Sequence, residues 1–178
     1  MSDFLNSGEQ TKISENISAV AAEIEGVGLS AIMKILAWIH KNIKLDEKPD
    51  FKKENFRKRT AEEIINSRRA TGCTDYALAF LTIARAKGIP TKYVETINAD
   101  WLSNPDFNAL AGHVFVEVFF DGEWFIVDPQ GACLKAWYGK RFKKIGEGLD
   151  SWDLEIRGFD DLKKVFEKFL KEKNLEKI

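Results

Sequence analysis

A cysteine, a histidine and an aspartate in this chain stand where they can share the work of nucleophilic catalysis. Cys73 follows Gly72 at the start of a strongly apolar stretch, His113 opens a β-rich run, and Asp128 closes the next one. Attack of a thiol on a carbonyl needs such a set. The sulfur bonds to carbon, a base takes the thiol proton and later returns a proton to the leaving group, and a carboxylate fixes the tautomer and orientation of the base. Cys73 is the candidate nucleophile, His113 the candidate base, and Asp128 the acceptor for the far nitrogen of His113.

The elements that must position these residues can be read from the pattern. Asp121-Gly122, between HVFVEVFF and EWFIVD, is a two-residue hairpin signal. That turn pairs Phe120 with Glu123 and Phe119 with Trp124, and it sets Asp128 opposite Phe115. His113 lies two residues further along on the same face. Diagonal neighbours of this kind have Cα atoms about 7–8 Å apart, a gap that an imidazole and a carboxylate close. A one-residue slip would send Asp128 to the opposite face, and the turn chemistry argues against it. That opposite face carries Val114, Val116, Val118, Phe120, Phe125 and Val127, which require burial.

Cys73 arrives from a different element. Residues 73–87 (CTDYALAFLTIARAK) predict the most apolar helix of the chain, stopped by Gly88 and Pro90. Free N–H groups and partial positive charge at its start favour thiolate over thiol, and the same groups can stabilise an oxyanion. Asp75, in the first turn, opposes part of this effect. Gly72 leaves room for a substrate backbone. Together with Thr74 beside the cysteine, and Trp101 in the loop before the His113 strand, it is expected to line the substrate cleft.

Other elements follow from periodicity. Residues 12–24 and 29–44 predict amphipathic helices, the second with Gly28 or Ser30 as cap. Thr60 and Glu63 form a capping box that opens a helix over 61–69. Residues 91–97 predict a strand, 99–111 a loop, and 159–173 a final amphipathic helix with Asp160 and Asp161 in its first turn. Residues 46–59, with the basic run Lys52, Lys53, Arg57, Lys58 and Arg59, read as solvated surface. The chain after Pro129 reads as irregular, and the first ten residues are expected to fray. His40 is placed near a helix C-terminus, where its charge complements the dipole. Cys133 is read as packing, and Glu117 as a cleft or sheet-edge residue. Trp38, Trp124 and Trp152 are read as core.

Composition bounds what the chain does. Its 178 residues fit one domain, 1–178; 44% are hydrophobic and 12% aromatic, enough for a real core. A net charge of −1 gives no global attraction to nucleic acid or anionic membrane, so neither is expected as a partner. No basic-then-apolar leader and no run of membrane-spanning length are visible. A cytoplasmic location with reduced thiols is the expectation. The two cysteines and two histidines show no metal-ligand spacing, and no calcium loop is evident, so no metal and no cofactor are expected. Nothing in the pattern fixes an oligomeric state.

The segment RRATGCTDYALAFLTIARAKGIPTKYVETI, followed by AGHVFVEVFFDGEWFIVDP, resembles the core of the transglutaminase-like superfamily, a branch of the papain-like cysteine enzymes. The family pattern is C-x-D-x-A opening a helix, a G-I-P turn and a strand, then G-H-x-x-x-E-V, then W-x-x-x-D-P. Here these positions are Cys73, Asp75 and Ala77; Gly88, Ile89 and Pro90; Gly112, His113, Glu117 and Val118; and Trp124, Asp128 and Pro129. In many relatives the glycine lies two residues before the cysteine, whereas here it lies one before. The resemblance covers roughly residues 60–130, three motif pieces in the right order on the right elements. It implies an α+β fold, with N-terminal helices and a central nucleophile helix packed on an antiparallel β-sheet. It also implies nucleophile, base and orienter roles for Cys73, His113 and Asp128. The expected activity is amide processing through a thioester acyl-enzyme, by a peptidase or amidase or by transglutaminase-type acyl transfer, on a peptide or protein amide substrate. The alternatives are a non-catalytic peptide- or protein-binding module on the same fold, and a metal-using hydrolase on the same three residues.

Overall fold

The hairpin forms with the register its turn dictates. Strands β4 (Gly112–Phe120) and β5 (Glu123–Asp128) pair Phe120 with Glu123 and Phe119 with Trp124. Asp121 and Gly122 both take positive φ, 52° and 84°, as a turn matched to the strand twist requires. In this computed structural model, which describes residues 2–135 and 137–175, the pair is the centre of a five-stranded antiparallel sheet. The strand order is β6-β5-β4-β3-β7, with β3 at Thr91–Asn98, β6 at Cys133–Lys135 and β7 at Phe142–Gly148. A short parallel pair joins β1 (Lys44–Leu45) to β2 (Arg69–Ala70).

Helix α5 (Cys73–Ala86) lies against this sheet, in contact with β3 and β4 on one side and with three other helices around it. These are α1 (Glu15–Glu23), α2 (Gly28–Asn42) and α4 (Ala61–Ser67). Every residue of α5 from Thr74 to Arg85 is buried, as expected of a helix that is apolar nearly all round. The core joins Leu78, Phe80 and Leu81 to Ile32, Ile35 and Ile39 of α2 and to Val114, Val116, Val118 and Val127 of the hairpin. Each such side chain contributes about 1.5–3 kcal/mol by leaving water. Phe120 and Phe125, at the turn end of the same face, are only half-buried and pack on the cluster edge. The observed α+β architecture is the expected one: helices gathered round a nucleophile-bearing helix on an antiparallel sheet.

Where β3 ends, a second cluster forms from Ile97, Trp101, Ile156, Leu162 and Phe166. It involves the one-turn helix α6 (Ala99–Ser103) and the terminal helix α7 (Phe159–Leu175). The predicted loop over 99–111 therefore begins as a helix. The Asn98 side chain caps it, accepting from the Asp100 and Trp101 N–H groups.

Several expectations need correction. The first ten residues do not fray. Ser2–Leu5 forms a 3-10 turn, Phe4 meets Trp124 edge-on, and Gln10 is fully buried. Gln10 donates to the Arg59 carbonyl (2.9 Å) and its carbonyl accepts from Ala61 N–H (2.8 Å). Long-range polar partners compensate the lack of apolar residues there. Residues 46–59 contain helix α3 (Pro49–Asn55), entered through a proline at its start. Neither Arg57 nor Arg59 is surface; both guanidiniums turn inward to buried carboxylates. The chain after Pro129 supplies β6 and β7 at opposite edges of the sheet. The β7 sequence FKKIGEG lacks apolar alternation, so only its backbone pairing with β3 marks it as a strand. Neither Ser30 nor Gly28 caps α2; that position falls to Val27, which offers no side-chain acceptor. The capping box of Thr60 and Glu63 on α4 is present, as is the left-handed Gly88 after α5 (φ 78°).

Candidate active site

Cys73 is the first residue of α5, with Gly72 at the cap position, so the sulfur sits at the helix mouth. The cysteine is half-buried and its thiol is free. Apart from its chain neighbours, nothing lies within 4 Å of the point where a Cβ on Gly72 would stand, so the space over the helix mouth is open.

His113 is delivered by the first turns of β4. Gly112 makes this possible. A Cβ there would lie 2.4 Å from the Thr96 carbonyl oxygen and 3.0 Å from Phe166 Cζ, so only glycine lets β4 approach β3 at this end. The Thr96 hydroxyl donates to the His113 carbonyl at 2.7 Å. The imidazole packs against Phe115 and Phe142, with ring centroids 4.7 and 5.6 Å away, and those two rings meet each other at 5.3 Å.

His113 Nε2 and Asp128 Oδ1 are 2.9 Å apart, which leaves Nδ1 for Cys73. The carboxylate is itself fixed. Oδ1 also accepts from the Gly131 N–H at 2.9 Å, and Lys135 Nζ stands 3.6 Å from Oδ2. A Cβ on Gly131 would come within 2.9 Å of Oδ2, so the turn after Pro129 can wrap the carboxylate only with glycine there. His40 reaches the same turn. Its Nε2 lies 2.8 Å from the Pro129 carbonyl oxygen, and its ring stacks on Tyr76 at 5.4 Å. His40 lies in the last turn of α2, as its sequence position implied, and from there it also anchors the turn beside Asp128.

The electrostatics of the pair follow from these contacts. Burial alone would lower the His113 pKa. The hydrogen bonds with Asp128 and with Cys73, together with their charges, outweigh it and push His113 up to about 9. Burial would raise Asp128, but His113, the Gly131 N–H and Lys135 hold it below the usual carboxylate range. Linkage gives the pH dependence. A histidine raised from 6.5 to about 9 stabilises the fold fully below its unfolded value and loses that contribution as pH rises through the folded one. Asp128 contributes above its unfolded value and loses its contribution as pH falls through its lowered one. The difference in Tm between wild type and His113→Gln is therefore expected to narrow as pH rises from 6 to 10. A difference constant over that range would contradict the pairing.

Behind the nucleophile lies a buried ionic network that sequence reading missed. Arg57, 2% exposed, grips Glu95 bidentately at 2.7 and 3.0 Å, and also donates to Tyr93 Oη (3.0 Å) and Ser151 Oγ (3.1 Å). Burial opposes the guanidinium charge, but Glu95 more than compensates, so Arg57 is raised. Burial also raises the Tyr93 phenol. Both groups feel the charge of Cys73. A signal for this network was present: on β3, Glu95 shares the inward face with Thr91, Tyr93 and Ile97. A carboxylate on a buried face needs a partner.

The proposed cleft residues fare differently. Gly72 is at the open mouth. Thr74 is 2% exposed, and its Oγ1 has no hydrogen-bond partner among the described residues. It is inward-facing because the buried circumference of α5 begins at that residue. Trp101 is 6% exposed, packed against Phe107 and Phe166, with its indole N–H donating to the Asp106 and Ala109 carbonyls at 3.0 Å. It is a core residue of the second cluster. Glu117 accepts from Tyr138 Oη and from Lys144 (3.0 Å), so it ties the strap after β6 to the sheet. Cys133 is half-buried opposite Asp128 in the β5–β6 ladder. Two surface grooves, of about 510 and 660 Å³, are lined by residues of β7, α7 and the basic run, and include no member of the Cys73–His113–Asp128 set. Among the described residues no cluster of three or more His, Cys, Asp or Glu side chains is placed to hold a metal ion, and no helix is long and apolar enough to cross a membrane.

The profile of the transglutaminase-like superfamily matches residues 15–129, from α1 to the end of the hairpin. The chain belongs to this superfamily. Its fold also matches the crystal structure of a candidate cysteine protease from Cytophaga hutchinsonii, with a TM-score of 0.65 and 20% sequence identity. The match covers 86% of this chain and 48% of that one, so the transglutaminase-like chain described here spans about half the length of its structural relative. No curated protein matches the sequence. The fold is the papain-like, transglutaminase-like one.

Proposed function

We propose that the chain is a cysteine-dependent amide-processing enzyme, with Cys73 as nucleophile, His113 as general acid and base, and Asp128 as orienter. The observation that carries the reading is the arrangement of one imidazole between two partners. Its Nε2 bonds to Asp128 at 2.9 Å, and Cys73, at the N-terminus of α5, lies near enough to help raise its pKa.

The Cys73 proton passes to His113 Nδ1, and the sulfur adds to the amide carbonyl carbon. The N–H groups of the first turn of α5 stand where the oxyanion develops. As the C–N bond breaks, His113 gives its proton to the departing amine, leaving a thioester on Cys73. His113 then takes a proton from water, and the resulting hydroxide-like oxygen displaces the thiolate as carboxylic acid. An amine in place of water completes an acyl transfer by the same steps. Water is the favoured acceptor, by family analogy. The substrate class is a peptide or protein amide. A cytoplasmic setting suits the chemistry, because both thiols are free and the nucleophile must stay reduced.

The test is mass-spectrometric capture of the acyl-enzyme. Incubation with a peptide thioester or activated ester library is expected to leave an acyl mass on the peptide that contains Cys73, lost on Cys73→Ala and discharged on dilution. Acyl mass retained in Cys73→Ala, or found only on Cys133, would overturn the assignment.

A further inference from the structure

The first turn of α5 holds a single acidic residue, Asp75, two positions after the nucleophile. A carboxylate there works against a thiolate at the same helix mouth, because it cancels the partial positive charge of the free N–H groups. It would also repel the sulfur anion directly. Asp75 is fully buried, so solvent does not screen it. The fold nevertheless keeps it, and its contacts say why. Oδ2 accepts from the Thr71 N–H at 2.7 Å and from the Thr71 hydroxyl at 2.9 Å. The carboxylate thereby clamps the 71–72 turn that feeds Cys73 into the helix. The same oxygen receives Arg59 Nη2.

Arg59 does more than pair. Nη2 also donates to the Arg69 carbonyl at 2.8 Å, and Nη1 donates to Ser67 Oγ at 3.1 Å. The guanidinium lies over the Phe51 ring at 5.0 Å. It thus joins the end of α4, β2 and the mouth of α5 around one buried charge.

We propose that Arg59 is a positioning residue for Cys73: by pairing with Asp75 it neutralises the one carboxylate in the first turn of α5 while letting that carboxylate lock the 71–72 turn. Asp75 supplies the geometry, and Arg59 removes its electrostatic penalty at the sulfur. The inference deepens the proposed catalytic reading and rests on Cys73 being its nucleophile.

The test is the pH dependence of Cys73 alkylation by iodoacetamide, followed by peptide mass so that Cys133 is scored separately. It needs no substrate and no turnover. Arg59→Gln is expected to raise the midpoint of Cys73 alkylation by about one pH unit, the effect of an unneutralised buried charge two residues along the same helix turn. Asp75→Asn keeps an acceptor for Thr71 and leaves Arg59 in place, so it is expected to lower the midpoint. Arg59→Lys keeps the charge without the fork and is expected to stay near wild type. Loss of stability alone would lower Tm without ordering the three midpoints in this way. If Arg59→Gln does not fold, Asp75→Asn decides. Midpoints for Arg59→Gln or Asp75→Asn that coincide with wild type overturn the inference. Ordered midpoints in a protein that forms no acyl adduct would retain the positioning role and overturn the amide-processing reading instead.

Discussion

Turnover of an amide or ester substrate is expected to fall on the alkaline side as pH passes about 9, where His113 loses its proton. His113→Gln is expected to lower the rate at neutral pH by roughly 10²–10⁴, the usual worth of a positioned general acid–base group. The two outcomes have one cause. The leaving amine departs only if His113 carries a proton to give it, and His113 keeps that proton to high pH because Asp128 accepts from its Nε2 at 2.9 Å while the sulfur engages its other side. Asp128→Asn removes the carboxylate charge and leaves a neutral amide, which can turn either its oxygen or its NH2 group to the ring. The alkaline limb should then move to lower pH, and the rate should drop at every pH as the ring loses its fixed tautomer. Circular dichroism checks that the variants remain folded. An alkaline limb that stays put in Asp128→Asn would break the link between the carboxylate and the imidazole.

The part of this site that was legible came from local rules. The Asp121-Gly122 turn determined which residues of β4 and β5 face each other, and that alone put His113 and Asp128 on one surface. The helix mouth at Cys73 was legible because Gly88 and Pro90 end α5 and the apolar circumference shows where it begins. Both inferences use contacts between residues close in sequence, where backbone geometry leaves few choices.

What escaped was carried by distant polar pairing. Arg57 and Arg59 sit in a run rich in lysine, and nothing within that run separates a solvated cation from one that meets a buried carboxylate on β3 or α5. The docked N-terminus has the same origin: Gln10 looks like solvent-facing chain until the carbonyls of Arg57 and Arg59 are brought beside it. Trp101 was misplaced for a related reason. Its position before the His113 strand suggested a cleft wall, but the α7 residue Phe166 fills the space against its ring, and a helix some sixty residues later leaves no mark on the loop. The carboxylates were the better clue. Glu95 on an inward strand face and Asp75 in a wholly buried helix each demand a cation, and the inward arginines meet that demand.

Arg57→Met is expected to cost about 3–5 kcal/mol of stability, as removal of one partner from a buried ion pair does. For a chain of this size that is a fall in Tm of roughly 6–20 °C. The guanidinium supplies two hydrogen bonds to Glu95, one to Tyr93 and one to Ser151. Without it, the Glu95 carboxylate, 1% exposed, keeps only the Tyr93 hydroxyl as a donor among the described residues, at 2.9 Å. Most of the loss is the cost of leaving that carboxylate uncompensated, so removing it as well should help. The double variant Arg57→Met/Glu95→Leu is expected to recover most of the lost Tm, with a coupling between the two sites well beyond additivity. Urea melts with unchanged m-values would show that stability rather than cooperativity moved. If the double variant were as unstable as the sum of the single ones, Arg57 would be acting through its bonds to Tyr93 and Ser151 rather than by neutralising Glu95. The charge account of this network would then fail.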